Sequence, residues 1–268
     1  MRSSSYSPID DIAYLARSDH RVSTLVALTV RPRTRSELRG TVGVSPSTMR
    51  RTLREFEERD WIRRPDHEYE ATQLGAYIAS GMTALKERVE LEQRLRDVWQ
   101  WLPGEESGFT VEMCPDAVVT VAEADNPYAP INRFLTLLDE SDTLRFIGSS
   151  LVLLEPCRDE FCEHVIDGLQ AEIIDPPRVA EYIRSTYPAL SSETLASGNL
   201  TVRLLEDLPP YGVGLFDDRI AVCGHDPDSV TVRVLLDTAD EEAREWAESE
   251  YDFYRRQTQT AHFGPVPD

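Results

Sequence analysis

The chain has 268 residues and a formal net charge of −20, from 48 Asp and Glu against 28 Lys and Arg. This length fits one large domain or two ordinary ones, and 41% apolar residues leave enough to form a buried core. No apolar run approaches the eighteen or so residues that span a bilayer, and the start M-R-S-S-S-Y-S-P contains no apolar segment of a signal peptide. We therefore expect a soluble, cytoplasmic protein.

The charge is distributed unevenly along the chain. Residues 1–75 contain 13 Arg and 11 acidic residues, whereas residues 76–268 contain 15 basic and 37 acidic residues. Within residues 31–54 there are seven Arg and a single acid, Glu37. A basic island on an acidic chain is typical of a nucleic-acid contact surface.

Lysine is almost absent, since Lys86 is the single Lys among the 28 basic residues. An acidic composition with Arg in place of Lys resembles that of proteins from extreme halophiles; a GC-rich genome that favours Arg codons is the alternative. In molar salt, counterion release would contribute little to DNA binding. Base contacts and dimer geometry would then supply more of the affinity.

The first seventy residues predict a helix-turn-helix. Residues 9–16 form a short helix with Ser7 as N-cap and Pro8 in the first turn, and residues 18–29 form a second one that Arg31-Pro32 ends. Thr34 or Ser36 caps a third helix through residue 41. Gly43 supplies a positive-φ turn, and Ser45 with Pro46 begins a fourth helix that continues to about residue 59.

The fourth helix has two distinct faces. Met49, Leu53 and Phe56 form the inner face at spacings of four and three, and at about 100° per residue Ser47 and the arginines face outwards. Such a face fits the major groove, where Arg pairs bidentately with guanine. The predicted DNA-binding residues are Arg35, Ser45, Ser47, Thr48, Arg50, Arg51, Arg54, Arg63, Arg64 and His67.

A charged hairpin follows this helix and completes a winged helix-turn-helix. Residues 61–64 predict a strand, Pro65-Asp66-His67 a turn and residues 68–72 the return strand. Two short helices around a Gly turn also occur in many all-α proteins; it is the ordered continuation into a hairpin that favours a DNA-binding domain.

This stretch resembles the winged helix-turn-helix regulators of archaea, in the broad ArsR, MarR and TrmB-like group. The resemblance covers about residues 8–80 and rests on V-S-x-S-T-x-x-R-x-L, the W-I that opens the hairpin and the Y-x-x-T-x-x-G that closes it. It implies that residues 44–59 are the recognition helix and residues 63–69 the wing. Metal-sensing motifs of the ArsR type are missing, so a metal-sensor role is not implied.

Residues 73–102 contain no Pro before the boundary at Pro103-Gly104 and predict a long helix of about 45 Å. Its apolar stripe changes phase near Leu91, which indicates two different partners along the helix or a break. We interpret it as a dimerisation helix that sets the spacing of two recognition helices; the alternative is a helix that packs only between its own two domains.

The remaining residues predict a mixed α/β sheet. Predicted strands are residues 117–121, 143–147, 171–174, 200–205, 212–216, 219–223 and 230–236, with a tight turn at Asp217-Asp218. Predicted helices are residues 126–139, 157–169, 177–186 and an acidic closing helix at 239–256, in which Trp246, Tyr251 (or Phe253) and Tyr254 are inward candidates. No element is assigned between residues 186 and 200.

This layout resembles the regulatory domain of the TrmB-like and FilR1-type regulators, whose fold is similar to phospholipase D. The resemblance covers about residues 110–258 and rests on G-L-F-D-D-R-I-A-V-C-G and on the terminal W-A-x-x-x-Y-D-F-Y-R-R. Phospholipase chemistry needs an H-x-K pair, and Lys86 lies outside the domain, so the sequence excludes that activity. Gly212-Val213-Gly214 lacks the third glycine of a dinucleotide site.

Candidate small-molecule sites in this domain are weak. Arg145 with Gly148, Ser149 and Ser150 could hold an anionic ligand after a strand, although a plain βα turn is the alternative. Cys157, Cys162 and His164 do not converge on a helix, so no metal site is predicted. The four cysteines form no zinc or disulfide pattern; a redox-sensing cysteine stays an alternative, without a flanking cation to lower a thiol pKa.

The sequence thus predicts an α/β two-domain protein: a winged helix-turn-helix in residues 1–75, a linker helix in 73–102 and an α/β regulatory domain in 109–268. The predicted function is a homodimeric, sequence-specific transcription regulator of double-stranded DNA that senses an effector or a regulatory protein, without enzymatic activity or cofactor. The alternative is a winged-helix module that binds a protein of a transcription complex and has no sequence specificity of its own.

Overall fold

The computed structural model describes residues 7–148, 151–225 and 232–260. The chain divides into two compact units, residues 1–90 and residues 91–268. Residues 1–90 contain 15 basic and 13 acidic residues, so the net charge of the first unit is about +2. Residues 91–268 contain 13 basic and 35 acidic residues, so the net charge of the second unit is about −22.

From residue 7 onwards, the N-terminal unit contains five helices and a small hairpin. These elements are α1 (Pro8–Ala16), α2 (Asp19–Val30), α3 (Arg35–Val42), α4 (Pro46–Glu57), β1 (Ile62–Arg63), β2 (Glu70–Ala71) and α5 (Gln73–Leu95), whose last residues lie in the second unit. The winged helix-turn-helix prediction is confirmed element by element, with two-residue strands in place of the longer ones predicted.

Capping residues fix where the helices of this unit begin. Ser7 and Thr34 each form a capping box, with Asp10 and Glu37 respectively, so Thr34 rather than Ser36 caps α3. Each box satisfies backbone N–H groups that the first turn of a helix leaves without partners. Gly43 ends α3 in the left-handed region with φ of 68°, as the turn between α3 and α4 requires.

The core of the N-terminal unit lies between α2, α3 and α4. Leu38, Met49 and Phe56 are completely buried, and Leu25 and Leu53 are 1% exposed. Phe56 and Trp61 pack ring against ring at 5.7 Å between centroids. The stripes predicted from the 3.6-residue period therefore point inwards as expected.

Helix α5 ends at Leu95, not at Leu102 as predicted; a turn and a 3₁₀ helix at Trp99–Trp101 follow it. Ala79 packs in the core of the first unit, whereas Leu91 and Leu95 pack in that of the second. The change of apolar phase near Leu91 therefore marks two separate cores. After Leu95 the chain contains weaker helix formers such as Asp97 and Trp99, and Val98 and Leu102 pack in the core of the second unit.

The second unit is built around one eight-stranded sheet of mixed direction. Its strands are β3 (Val118–Val121), β4 (Thr143–Ile147), β5 (Gln170–Asp175), β6 (Leu200–Leu204), β7 (Tyr211–Leu215), β8 (Ile220–His225), β9 (Val232–Thr238) and β10 (Gln259–Thr260). The order is β10-β6-β5-β4-β7-β8-β9-β3, with β4, β5 and β6 parallel and the other pairs antiparallel. The predicted mixed sheet is confirmed; its phospholipase D-like topology stays a prediction.

Helices cover both faces of this sheet. They are α6 (Ala129–Asp139), α7 (Leu151–Leu154), α8 (Arg158–Asp167), α9 (Pro177–Thr186), α10 (Pro188–Ala196) and α11 (Glu241–Arg255). Ile147 and Val213 face the α11 side with Tyr251, whereas Phe146 faces the α6 side with Phe134. Side chains alternate between the two cores because successive residues of a strand point to opposite faces.

The structure adds elements that the sequence pattern did not predict. Helix α10 and strand β10 were not assigned, and α7 with the 3₁₀ helix Glu155–Cys157 precedes α8 where one helix was expected from residue 157. In α11, Tyr251 is completely buried and Phe253 is 53% exposed, so the first of the two inward candidates is the right one. No helix in the described ranges is both long and apolar enough to cross a membrane.

Candidate nucleic-acid interface

Helix α4 presents a polar face that its own core contacts hold in place. Met49, Leu53 and Phe56 are buried beneath it, and Ser47, on the opposite side, is exposed. The arginines at positions 50, 51 and 54 are exposed as well. Because a buried stripe fixes the rotation of a helix about its axis, the outer face is presented in one orientation only.

The first turn of α4 carries a cluster of hydroxyl groups. Ser45 accepts a hydrogen bond from the backbone N–H of Thr48 at 3.2 Å. Its Oγ also lies 2.9 Å from the Thr48 Oγ1 and 3.0 Å from the Ser47 Oγ. A helix N-terminus with free N–H groups and hydroxyls is suited to bind a phosphate.

The arginines of this face differ in their contacts. Among the described residues, no carboxylate forms an ion pair with Arg50 or Arg51. Arg54 is 3.5 Å from Glu58 in an exposed pair one turn apart; such a pair contributes little to stability and breaks easily. Arg54 is therefore the one arginine of the three that has a carboxylate partner among the described residues.

Other arginines of the unit belong to its packing. Arg59 donates to Asp11 Oδ1 at 2.9 Å and lies 4.3 Å from the centre of the Tyr14 ring. Arg33 donates through Nε to the Ala27 carbonyl at 3.2 Å. These two side chains connect elements of the unit, whereas the α4 arginines project from its surface.

The wing carries three of the predicted DNA contacts. Arg63 pairs with Glu70 across the hairpin at 2.5 Å, and Arg64 lies 5.1 Å above the Tyr69 ring. His67 is exposed at the turn, beside Asp66 with φ of 55°. The backbone of Arg33 bridges to Tyr69 and adds a third strand position to the wing, a long-range pairing that the local sequence pattern did not reveal.

Arg35 is the first residue of α3 and is exposed. Helix α3 precedes α4 through the Gly43 turn, so this side chain lies on the helix that packs directly against α4. The structure thus places every predicted DNA-binding residue in one unit, all on its surface except the half-buried Thr48. Their contacts with DNA stay a prediction.

The predicted anion site of the second unit stays a prediction, and two of its residues, Arg145 and Gly148, have contacts of their own. Arg145 lies within β4, where it pairs with Glu248 at 3.3 Å and lies 5.4 Å from the Tyr251 ring centre. Gly148 approaches another strand so closely that a Cβ would meet the Gly212 Cα at 2.7 Å. This close approach accounts for the glycine by packing; Ser149 and Ser150 lie outside the described residues.

The cysteines of the described chain are buried thiols. Burial raises the pKa of Cys114, Cys157 and Cys223 to about 12 and raises that of Cys162 as well. At neutral pH these groups are protonated, and a thiolate is the reactive form. The described residues contain no cluster of His, Cys, Asp and Glu that could hold a metal ion.

A cavity in the second unit was not predicted from the sequence. It has a volume of about 90 Å³ and lies among α8, α9, α10, β5 and β6. No local sequence pattern indicates it, since its walls come from these five elements and from Leu154 of α7, and α10 was not predicted. Neither Arg145 nor Gly148 lines it.

Two family models match most of this architecture. The model described as the HVO_A0261 N-terminal domain matches residues 9–94, and the one described as the middle domain of the methanogenesis regulatory protein FilR1 matches residues 127–257. The chain is a FilR1-like regulator. The first match covers α1 to α4, the wing and nearly all of α5 of this FilR1-like regulator; the second covers its sheet from α6 to α11. The resemblance stated from the motifs is confirmed at this level.

Several solved structures are similar to this chain at low sequence identity. TrmBL2, described as an archaeal chromatin protein with a novel mode of DNA binding, is 14% identical over 92% of this chain and 98% of its own, with a TM-score of 0.43. Phosphatidylserine synthase of Haemophilus influenzae Rd KW20 is 15% identical over 54% and 39%, with a TM-score of 0.40. The methyltransferase CalO1 is 21% identical over 73% and 61%, with 0.23.

All three TM-scores lie below 0.5, so these similarities do not establish the fold or the function of this chain. Among curated proteins, no match is found.

Proposed function

We propose that this FilR1-like regulator binds double-stranded DNA and controls transcription, with α4 in the major groove and the wing against the flanking backbone. The observation that carries the proposal is the outer face of α4. Arg50 and Arg51 are exposed and have no carboxylate partner among the described residues, on a chain in which acids outnumber bases by twenty.

The charge distribution supports this choice of surface. The N-terminal unit carries a small positive charge and the second unit about −22, so a polyanion is attracted to the first and repelled by the second. Within the first unit, residues 31–54 hold the densest arginine cluster. A DNA duplex that approaches the protein therefore meets α3 and α4 at the lowest electrostatic cost.

Each part of the face has a different partner on DNA. The hydroxyls of Ser45 and Ser47, with the N-terminal N–H groups of α4, would contact a phosphate and set the register of the helix. Arg51 and Arg54 would reach base edges, where a bidentate contact with guanine discriminates by about 1–3 kcal/mol. Arg54 must break its ion pair with Glu58 before it can contact a base. We therefore expect Arg54 to contribute less binding free energy than Arg51.

A gel-shift titration at high KCl tests the proposal. The duplex is one selected from a random pool by the wild-type protein. We expect Arg51→Ala combined with Arg54→Ala to weaken specific binding at least about thirtyfold, from about 1–3 kcal/mol per base contact. The control combines Arg96→Ala with Arg178→Ala, two exposed arginines of the second unit, which removes the same charge.

The control should bind like the wild-type protein. Equal binding by the α4 double variant would show that the recognition helix is assigned to the wrong element. Failure of the wild-type protein to select any sequence, together with a protein partner that stays bound through purification, would favour the interaction module instead.

We also propose that the protein forms a homodimer through α5. Helix α5 leaves a row of apolar side chains exposed along one side, including Leu74, Tyr77 (79% exposed), Leu85 and Val89. Residues spaced three to four apart fall on one side of a helix, so this row suits a second copy of the helix. Two recognition helices would then face successive half-sites.

Light scattering tests this pairing. The wild-type protein should have twice the mass of one 30.4-kDa chain, and Tyr77→Glu combined with Leu85→Glu should reduce it to one chain, because two carboxylates would be buried without partners. Phe253→Glu, an equally polar change at an exposed site of α11, should leave the mass unchanged. A dimer that survives the double change contradicts the α5 interface.

A further inference from the structure

The cavity of the second unit is enclosed by parallel strands on one side and by two helices on the other. Ile173 of β5 and Val202 of β6 form its floor, Phe161 of α8 one wall, and Ile183 of α9 with Leu190 and Leu195 of α10 the roof. Asp175, at the carboxyl end of β5, also lines it. In open α/β sheets, ligands bind beside the carboxyl ends of parallel strands.

Several of the apolar residues that line this cavity are only partly covered by the fold. Ile183, Leu190, Leu195, Leu200 and Val202 are all half-buried, while the apolar residues of the central strands β7 and β8 are completely enclosed. Protein interiors normally fill such space to the density of an organic crystal. A group of aliphatic side chains around one opening is the lining expected of a small-molecule site.

A single tyrosine holds the two roof helices apart. Tyr187 lies between α9 and α10, and its hydroxyl donates to Glu155 Oε1 at 2.5 Å. The Arg158 guanidinium lies 3.6 Å above the same ring. Arg158 begins α8 and Glu155 lies in the 3₁₀ helix directly before it, so the junction of the two roof helices is connected to the wall of the cavity.

The charged and polar groups of the lining are already engaged. Arg158 pairs with Asp159 at 2.8 Å and Glu155 at 3.5 Å, and Arg184 and Asp175 each have an interaction partner within the protein. A charged ligand would have to displace these contacts in a partly enclosed site, where an ion without partners is costly. The lining therefore favours an uncharged molecule.

Two hydroxyl oxygens of the lining can still accept a hydrogen bond from such a molecule. The Thr194 hydroxyl donates to the Leu190 carbonyl at 2.8 Å, and the Ser191 hydroxyl points to the Ile183 carbonyl at 3.4 Å. Each oxygen keeps lone pairs that can accept. A ligand hydroxyl could donate to either of them while its carbon part lies among the aliphatic side chains.

We propose that this cavity is the effector site of the protein and that it binds a small, uncharged, branched or cyclic apolar molecule with one hydroxyl group. At about 30 Å³ per water molecule in the liquid, 90 Å³ corresponds to roughly three water molecules, so a ligand of four or five non-hydrogen atoms would extend through the opening. The effector role rests on the proposed DNA-binding function, whereas the site itself does not.

Three probes of one shape and different charge test the chemistry: 2-methylpropan-1-ol, 2-methylpropanoate and 2-methylpropylammonium. Saturation-transfer NMR on the full-length protein, without DNA, measures their dissociation constants. We expect millimolar binding of the alcohol and at least tenfold weaker binding of both ions. An ion that binds as tightly as the alcohol, or an alcohol that does not bind, overturns the proposed ligand class.

A matched pair of variants locates the binding. Ala180 is 9% exposed and lines the cavity, so Ala180→Leu adds three carbons inside it. Ala196→Leu makes the same change on the exposed side of α10. The first should weaken alcohol binding at least tenfold and the second should not; equal binding by the two variants places the alcohol elsewhere and overturns the site.

The effector role is tested by repeating the operator titration with saturating alcohol. A change in operator affinity of at least threefold for the wild-type protein, absent in Ala180→Leu, supports it, and an unchanged affinity contradicts it. Failure of the DNA-binding proposal is seen separately, as a wild-type protein that binds no operator in the absence of any probe.

Discussion

The arginines of α4 and those of the second unit have opposite surroundings. Arg50 and Arg51 project from the surface without a carboxylate partner among the described residues, whereas Arg133 and Arg219 both bind Asp237, whose side chain is fully buried. Arg203 and Arg255 likewise share Glu172. On a strongly acidic chain, an arginine is normally neutralised by its own protein; one that is not is available for an anion from outside.

This difference follows from where the acids are. The second unit has 35 acidic residues for 13 basic ones, so its arginines find partners across strands and helices. The first half of α4 contains no acid, and Glu55, Glu57 and Glu58 come only after Arg54. We expect the arginines that stabilise the fold and those proposed to contact DNA to respond differently to substitution.

The largest effect is expected at the buried carboxylate of the second unit. Asp237 accepts from Arg133 at 2.7 and 2.8 Å and from Arg219 at 2.5 Å. Asp237→Ala would leave two guanidinium groups without their partner and should reduce the free energy of unfolding by about 3–5 kcal/mol. Urea denaturation measures it, with exposed Asp252→Ala as control; a loss below about 1 kcal/mol would contradict this role.

A smaller and more selective contrast is expected within the N-terminal unit. Arg59→Ala removes the hydrogen bond to Asp11 and the contact with the Tyr14 ring, so stability should fall by about 2 kcal/mol. Arg51→Ala, at an exposed site, should change stability by less than about 0.5 kcal/mol. Thermal unfolding of the two variants side by side measures the difference; similar losses would mean that Arg51 is a packing residue after all.

The smallest effect concerns the turn between β7 and β8. The Thr143 hydroxyl, followed by the backbone N–H groups of Asp142 and Thr143, binds Asp217 and lowers its pKa below the usual 3.8. A lowered folded-state pKa stabilises the fold above pH 3.8, and that stabilisation is lost as the pH falls through the folded value.

Asp217→Asn should therefore cost on the order of 1 kcal/mol at pH 7 and progressively less below pH 4. Denaturation series at pH 7 and at pH 3 compare the variant with the wild-type protein. A cost that is the same at both values would assign the effect to side-chain shape and not to charge.

Local patterns were sufficient to predict the winged helix and most of the sheet. The capping residues Ser7, Thr34 and Ser45 and the inner stripe of Met49, Leu53 and Phe56 act within a few residues of one another, so the sequence shows them directly. The outer face of α4 follows from the same period.

What was missed depends on contacts between distant residues. The apolar residues of α10 do not fall on one side of the helix, so the sequence shows no amphipathic pattern there. Packing against α8 and α9 stabilises this helix. The ion pair of Arg145 with Glu248 was likewise not predicted, because the two residues lie about a hundred positions apart in the chain. The cavity has no sequence signature at all, because no single element forms more than one of its walls.

The most direct test of the account is the sequence motif that Arg51→Ala selects from a random pool of duplexes, compared with that of the wild-type protein. A residue that contacts a base relaxes specificity at that base alone, whereas a residue that contacts phosphate weakens all sequences equally. We predict that one position of each half-site loses its preference and the others keep theirs. An unchanged motif would contradict base recognition by α4.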